Sequence, residues 1–262
     1  MPSVPDADTL AQLGSALDLA GRTVVVTGAT SGIGEAVALG LAGMHVNVLG
    51  LGRRKSELDR VAAAAAERGL TLQTAVADVT DEESLDAAMD QAVSAFGRLF
   101  GVVANAGIAV VQPATEVSAS DFRAVVDTNL TGAFLTARSA AKKMAGGGAV
   151  VFTSSSFARR GFTGWSSYNA SKAAVAMLVE TLSQEWIGAG IRVNAVAPCA
   201  TLTAVNAALF ADESFTAGVL ATLPVGRIMQ APELVLPFAF LLSPRNEMLM
   251  GQTLFVDGGQ SL

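Results

Sequence analysis

The only tyrosine of the chain, Tyr168, stands four residues before Lys172, one of just four lysines. On a helix these two positions share a face, so a phenol and an ammonium can converge on one point, where a nearby cation favours the phenolate. A tyrosine in that setting can give or take a proton near neutral pH. A second group with chemical potential lies near the N-terminus, where Thr23-Val24-Val25-Val26 runs into Thr27-Gly28-Ala29-Thr30-Ser31-Gly32-Ile33-Gly34 and then the apolar stretch Ala36–Leu41. That order reads as strand, glycine turn, helix. Glycines at 28, 32 and 34 let the backbone turn tightly and approach a pyrophosphate, whose charge would be met by free N–H groups and the positive end of the helix dipole. The spacing is GxxxGxG rather than GxGxxG, and alone it reads as readily as a plain strand-to-helix connection.

Elements that could position these residues follow from the pattern of apolar runs. Short valine-rich runs alternate with longer alanine-rich stretches of helical period, which specifies an α/β chain with a buried parallel sheet and helices on both faces. Strands are expected near Thr23–Val26, Val46–Leu51, Leu70–Ala77, Leu99–Ala104, Ala149–Thr153, Ile191–Ala197 and Thr253–Val256. Helices are expected near Gly32–Gly43, Ser56–Arg68, Asp81–Phe96, Ser120–Met144, Ser167–Ile187 and Pro232–Leu242. In such a doubly wound sheet, ligands collect beyond the carboxyl ends of the strands, so the loops after strands one, four, five and six are where function is expected. Residues 1–20 exceed what the fold needs, and Leu10, Leu13 and Leu17 could form one stripe of a short capping helix or of a docking motif. Residues 21–262 are expected to form one domain.

Composition narrows the chemistry. One cysteine excludes an internal disulfide, and one histidine, His45, excludes a multi-histidine metal site, so no metal is expected. His45 itself, at the start of strand two, is expected to have no chemistry. A formal charge of −6 and a pI near 4.8 argue against a nucleic-acid surface. The hydrophobic share of 51% raises the question of a membrane, but the uncharged stretch Val193–Ala211 holds Asn194, Pro198 and Asn206 and starts as a strand. No spanning helix is expected there. The start, Met1–Asp6, lacks a basic segment of the secretory kind, and a cytoplasmic location is expected.

With these features in order, the chain resembles the short-chain dehydrogenase/reductase family over about Gly21 to Gly259. Beside Thr27–Gly34 and the Tyr168/Lys172 pair, the matching pieces are Asp78-Val79, Asn105-Ala106-Gly107, Asn129 in Thr128–Gly132, Ser155, and Val256-Asp257-Gly258-Gly259. Two positions depart from the family's pattern: Ala104 stands where asparagine is usual, and Cys199 follows Pro198 where glycine is usual. The resemblance implies a Rossmann-type domain of about seven strands and an NAD(P)-dependent oxidoreductase acting on a small carbonyl or alcohol. It implies Tyr168 as general acid and base, Ser155 as holder of the substrate oxygen, Lys172 as partner of both the phenol and the ribose hydroxyls, and Asn129 as holder of a water. Lys172 and the cationic nicotinamide would together lower the phenol. Cofactor contacts are expected from Thr27, Gly28, Thr30, Ser31, Gly32, Ile33, Gly34, Asp78, Val79, Asn105, Ala106, Gly107, Tyr168, Lys172, Pro198, Thr201 and Thr203. A homotetramer built through the Ser120–Met144 and Ser167–Ile187 helices and the C-terminal region is also implied.

The dinucleotide can be read from the end of strand two. Eighteen residues beyond Gly34, where an NAD enzyme would carry a carboxylate for the adenosine ribose, stands Gly52, followed by Arg53. A guanidinium matches a 2′-phosphate, so NADP(H) is expected in preference to NAD(H), although Thr30-Ser31 lacks a second basic residue and Arg53-Arg54 could simply begin a solvated helix. Thr201–Gly226 is expected to form a substrate lid carrying Leu202, Val205, Leu209, Phe210, Phe215, Val219 and Leu223, which would either meet an apolar substrate or pack the lid on the body. Trp165 and Phe210 are candidate substrate contacts, and Arg159 and Arg160 are either contacts or a solvated loop. Cys199 is expected to be a packing residue. Other functions fit less well: a related enoyl reductase would space its tyrosine and lysine more widely, an epimerase or dehydratase relative would be longer, and a cofactor-binding regulatory or scaffold protein would usually lack one of the pair.

Overall fold

A computed structural model describes residues 6–203 and 206–262, so Val205 and the first five residues lie outside the described residues. In chain order the elements are α1 (Ala7–Ala16), β1 (Thr23–Thr27), α2 (Gly32–Gly43), β2 (Asn47–Gly52), α3 (Lys55–Ala66), β3 (Leu72–Val76), α4 (Glu82–Phe96) and β4 (Leu99–Ala104). There follow α5 (Ala119–Val126), a π turn (Asp127–Thr131), α6 (Gly132–Lys143), β5 (Gly148–Thr153), α7 (Ser166–Trp186) and β6 (Ile191–Pro198). The last are β7 (Thr201–Leu202), α8 (Ala207–Phe210), α9 (Glu213–Leu220), β8 (Met229–Gln230), α10 (Val235–Leu242) and β9 (Thr253–Val256).

Seven strands pair in parallel in the order β3-β2-β1-β4-β5-β6-β9. The central strands β1, β4, β5 and β6 are buried along their whole length, because helices cover both faces and every side chain needs an apolar neighbour. Alternate residues supply the two cores: Val24 and Val26 join one with α2 and α10, while Val25 joins the other with α4, α6 and α7. The edge strands β3 and β9 keep partly exposed residues. Strand order reverses between β1 and β4, and the crevice that opens there at the carboxyl edge is the natural ligand position of this architecture.

The helix starts are chemically marked. Asp81 caps α4 by accepting from the Glu83 and Ser84 N–H groups (3.1 and 3.3 Å), and Gly190 turns the chain out of the 3₁₀ turn after α7 at φ 72°. Asp6 caps α1, whose Leu10 and Leu13, with Leu17 beyond its end, pack on the core beside α2. The Ser243 hydroxyl donates to the Leu17 carbonyl (2.7 Å) and fastens that end to the segment after α10.

Several boundaries differ from the sequence pattern for physical reasons. His45 sits in the α2–β2 turn at φ 59° rather than in a strand, so β2 begins at Asn47. β3 is shorter than the apolar run because its pairing with β2 starts at Leu72. The helix expected over Ser120–Met144 is divided by the π turn, and a 3₁₀ turn, Ala231–Leu234, precedes α10. The two-residue strands β7 and β8 form a small separate sheet.

Candidate active site

Thr27 ends β1, and its side chain begins a net of bonds across the carboxyl edge. Its hydroxyl oxygen accepts from the N–H groups of Asn105 and Ala106 (3.0 and 3.1 Å), directly after β4. The Asn105 amide donates back to the Thr27 carbonyl (3.0 Å), and its oxygen accepts from the Thr153 hydroxyl (3.1 Å) at the end of β5. One asparagine therefore ties three strands together where the crevice opens.

Against this net lies the glycine turn. A Cβ on Gly34 would fall 2.2 Å from the Gly28 carbonyl oxygen, so the first turn of α2 can press onto the loop only without a side chain. Gly28 takes φ 68° and Gly32 φ 60°. Ser31 precedes α2 without capping it, and the N–H groups of Gly32, Ile33 and Gly34 have no hydrogen-bond partner among the described residues. A helix N-terminus with free donors and no side chain in the way fits a pyrophosphate. Thr203 reaches the same turn from the β6 side, since a Cβ on Gly32 would stand 2.9 Å from its methyl. Thr201 behaves differently: its buried hydroxyl donates to the Cys199 carbonyl (2.9 Å). Burial, and secondarily Asp257, push the Cys199 thiol up to about 11, which leaves it an unreactive packing group.

At the far end of the crevice, a Cβ on Gly52 would come within 2.5 Å of the Thr30 methyl, so a carboxylate there would require Thr30 to move. The neighbouring Arg53 is largely exposed, with its guanidinium 3.8 Å from Asp78. Thr80 donates its N–H and hydroxyl to Asp78 (3.0 and 2.8 Å) and holds the carboxyl below its ordinary value. Val79 is buried and packs onto Gly132. Arg60 donates to the Thr30 carbonyl (3.1 Å) and to both oxygens of Glu35 (2.8 and 2.7 Å), bracing the loop on which Thr30 sits.

Tyr168 and Lys172 share one face of α7. Lys172 is buried, and its ammonium donates to the Thr153 carbonyl (2.7 Å). Burial brings this lysine down to about 8. Its nitrogen stands 5.5 Å from the centre of the Tyr168 ring. The expected lowering of the phenol by Lys172 is not what this geometry produces: burial pushes Tyr168 up, and the opposing influence is the Ser155 hydroxyl. The ammonium donates to the Thr153 carbonyl and stands beside the ring. Ser155 is buried at the end of β5, where its hydroxyl accepts from the Phe157 N–H (3.2 Å) and faces Tyr168.

Asn129 lies in the π turn, which brings its side chain to the Ile108 backbone. Its oxygen accepts from the Ile108 N–H (2.8 Å), and its amide donates to the Ile108 carbonyl (2.9 Å) and the Ser171 hydroxyl (3.1 Å). Gly107 leaves room for this arrangement, because a Cβ there would stand 3.2 Å from the Asn129 oxygen and 3.8 Å from the Lys172 nitrogen.

Several participants escape sequence reasoning. Phe157 stacks on Phe162 (4.1 Å) and meets Trp165 and Tyr168 edge-on at 5.2 and 5.9 Å. Trp165 also meets Tyr168 at 5.5 Å. Phe210 pairs instead with Phe215 (5.5 Å), and among the described residues no aromatic pair joins it to the group at Tyr168. Arg159 lies over Phe255 and Arg160 over Phe162, at 4.8 and 5.6 Å. The Ser156 hydroxyl donates to the Gln260 side-chain oxygen (2.7 Å), whose amide donates to the Thr222 hydroxyl (2.8 Å). Gln260 thus joins the serine loop to the segment before β8, a link between positions that no local pattern connects.

Known proteins match this chain over nearly its full length. A family model described as Enoyl-(Acyl carrier protein) reductase matches residues 28–261. The chain is 38% identical over 251 residues to the 3beta-hydroxysteroid dehydrogenase 1 of Eggerthella lenta, covering 94% of this chain and 95% of the relative. It is 40% identical over 243 residues to the cis-4-hydroxycyclohexanecarboxylate dehydrogenase of Sinomonas cyclohexanicum, covering 91% and 96%. In structure it is similar to a gluconate 5-dehydrogenase from Burkholderia cenocepacia, in complex with NADP and tartrate, with a TM-score of 0.88, 32% identity and coverage of 94% and 98%. The match runs from the glycine turn through the Tyr168–Lys172 helix to the last strand, and the chain belongs to the short-chain dehydrogenase/reductase family of NAD(P)-dependent oxidoreductases.

Proposed function

We propose that this protein interconverts a secondary alcohol and its ketone by hydride transfer, with Tyr168 as general acid and base and NADP(H) as the preferred dinucleotide. The observation that carries the reading is Tyr168 facing Ser155 while Lys172 lies buried on the same helix face. Bound NADP(H) would give or take the hydride. As negative charge grows on the substrate oxygen, the Tyr168 hydroxyl delivers its proton there and the Ser155 hydroxyl donates a hydrogen bond. Burial holds this phenol above its ordinary value, and the positive charge of an oxidised nicotinamide bound beside it would bring it down towards its working range. Lys172 stays protonated near neutrality and supplies both the positive field and a donor for ribose hydroxyls. Asn129 has its side chain engaged by Ile108 and Ser171, so a water serving Lys172 would rest on its main chain.

The glycine turn, Asn105–Gly107, Asp78-Val79, Pro198 and Thr203 would line the dinucleotide. The preference for NADP(H) rests on Gly52, where Thr30 leaves no space for a carboxylate, and on the exposed Arg53 beside it. Residues 201–226 would form the lid of the same domain, α1 would serve as its cap, and four chains would assemble through α5, α6, α7 and the C-terminal region. The test is absorbance at 340 nm with a panel of carbonyls and alcohols. Tyr168→Phe should lower turnover by about 10²–10⁴-fold with cofactor affinity nearly unchanged, and a variant of near-normal turnover would overturn the mechanism. Kinetics with both dinucleotides test the preference: a higher kcat/KM with NADH, or an unchanged ratio in Arg53→Ala, would refute it.

A further inference from the structure

Around the proposed reaction centre the chain has built an aromatic wall. Phe157 is its hub, stacked on Phe162 at an interplanar angle of 21° and set edge-on to Trp165 and Tyr168 at 88° and 89°. The wall begins two residues after Ser155 and ends at Tyr168, the two hydroxyls that would hold the reacting oxygen. Whatever is bonded to the carbon bearing that oxygen must lie within a few ångströms of these rings. Phe157, Phe162 and Trp165 are each only half-buried, so the wall still presents open apolar surface. Mutual edge and stacking contacts fix the rings before a ligand arrives, which lowers the entropic cost of binding a rigid partner.

One of the nearby cations sits on the wall itself. Arg159 lies over Phe255, and Arg160 lies over Phe162 and donates to the Gln260 carbonyl (3.3 Å). Lys172 donates to Thr153. A chain of hydroxyls laid on the wall would lose its water and find among Phe157, Phe162 and Trp165 only one donor, the indole N–H of Trp165.

We propose that the wall selects a rigid, ring-bodied secondary alcohol or its ketone, and disfavours open-chain polyols and small hydroxy acids, which leave the rings uncovered. The selection rests on the oxidoreductase reading above for its chemistry, and on the wall alone for its specificity. Holoenzyme kinetics with decahydro-2-naphthol, cyclohexanol, sorbitol and lactate test it. The two ring alcohols should exceed sorbitol and lactate by about a hundredfold in kcat/KM, with the fused ring ahead of the single one. Phe157→Leu, which keeps apolar volume but removes the hub ring, should raise KM for decahydro-2-naphthol about tenfold with kcat within about threefold. Trp165 gives a second readout: in the presence of NADP⁺, which cannot reduce it, the ketone 2-decalone should quench its fluorescence saturably in the parent and more weakly in Phe157→Leu, and Trp165→Leu should abolish the signal. Equal or better turnover of sorbitol or lactate, or a ring preference unmoved in Phe157→Leu, would overturn the proposal. If no alcohol is turned over, the oxidoreductase reading fails by itself, and the titration still decides the wall: saturable quenching supports it and its absence sinks it.

Discussion

Lys172 carries an ammonium where burial disfavours one, and that has a consequence measurable without any substrate. Its folded value of about 8 lies below the roughly 10.4 of a free lysine, so between these limits the unfolded chain binds more protons than the folded one. Below pH 8 both states are protonated and the burial cost is fully present; as pH rises from 8 towards 10 the cost is relieved and stability grows. The gain approaches about 1.4 kcal/mol per pH unit at most. Lys172→Met has no such proton to release. Denaturant midpoints of parent and variant should therefore diverge in the parent's favour between pH 8 and 10. A difference constant across that window would contradict the burial of a titrating lysine. Tyr168, pushed upward, acts in the opposite sense and only above the ordinary phenol range near pH 10.

The β1–α2 connection is where one methyl group should matter most. Gly34→Ala would drive its Cβ against the Gly28 carbonyl at 2.2 Å, and backbone cannot swing aside as a side-chain tip can. We expect a loss of about 1–3 kcal/mol in stability and a cofactor Kd raised at least about tenfold, read by denaturation and by titration with NADPH. Gly188→Ala is the matched control, since a Cβ there meets nothing within 4 Å, and it should be neutral or slightly stabilising. The sequence announces this connection clearly, because turn, strand and helix each carry their own local signal. It announces the central strands for a related reason: burial on both faces demands an unbroken apolar run, as in Val24–Val26 and Val150-Val151. What stays hidden depends on partners distant in the chain. The Thr153 carbonyl that receives Lys172, the Ile108 backbone that holds Asn129, and the Ser156–Gln260–Thr222 link have no spacing that could reveal them. The aromatic wall was in view, since four of the twelve residues from Phe157 to Tyr168 are aromatic in a chain that averages 6%. Its meaning required knowing that the rings converge on Phe157.

At the scale of the whole molecule, exposed apolar residues are spread over many elements, and two sets of them lie on the elements expected to join chains. Phe122 on α5 and Met177 on α7 form one group by element, with Met177 61% exposed; Phe240, Met248 and Leu254 near the end of the chain form another. Single exposed apolar residues are ordinary on a monomer, so the tetramer remains a proposal, in which these two surfaces would supply two kinds of isologous contact. Light scattering should give four times the 26.6 kDa of one chain. Met177→Arg should reduce that to a smaller species by disrupting one contact while leaving the other. A monomeric parent would remove the tetramer from the reading. No helix among the described residues is long and apolar enough to cross a membrane.

The π turn at Asp127–Thr131 makes length, rather than composition, the guarded property of its helix. An extra residue accommodated in a helical run rotates everything after it by about 100° relative to everything before. Here that rotation lets α5 turn Val125 inward against α7 while α6 turns Ala133, Thr136, Ala137 and Ala140 inward towards α4 and the sheet. Deleting a single residue between Asp127 and Thr131 would restore regular helical bonding locally, yet swing one buried face out to solvent and carry Asn129 away from Ile108. Many substitutions in this stretch change only one contact, whereas a one-residue deletion resets the phase of an entire element.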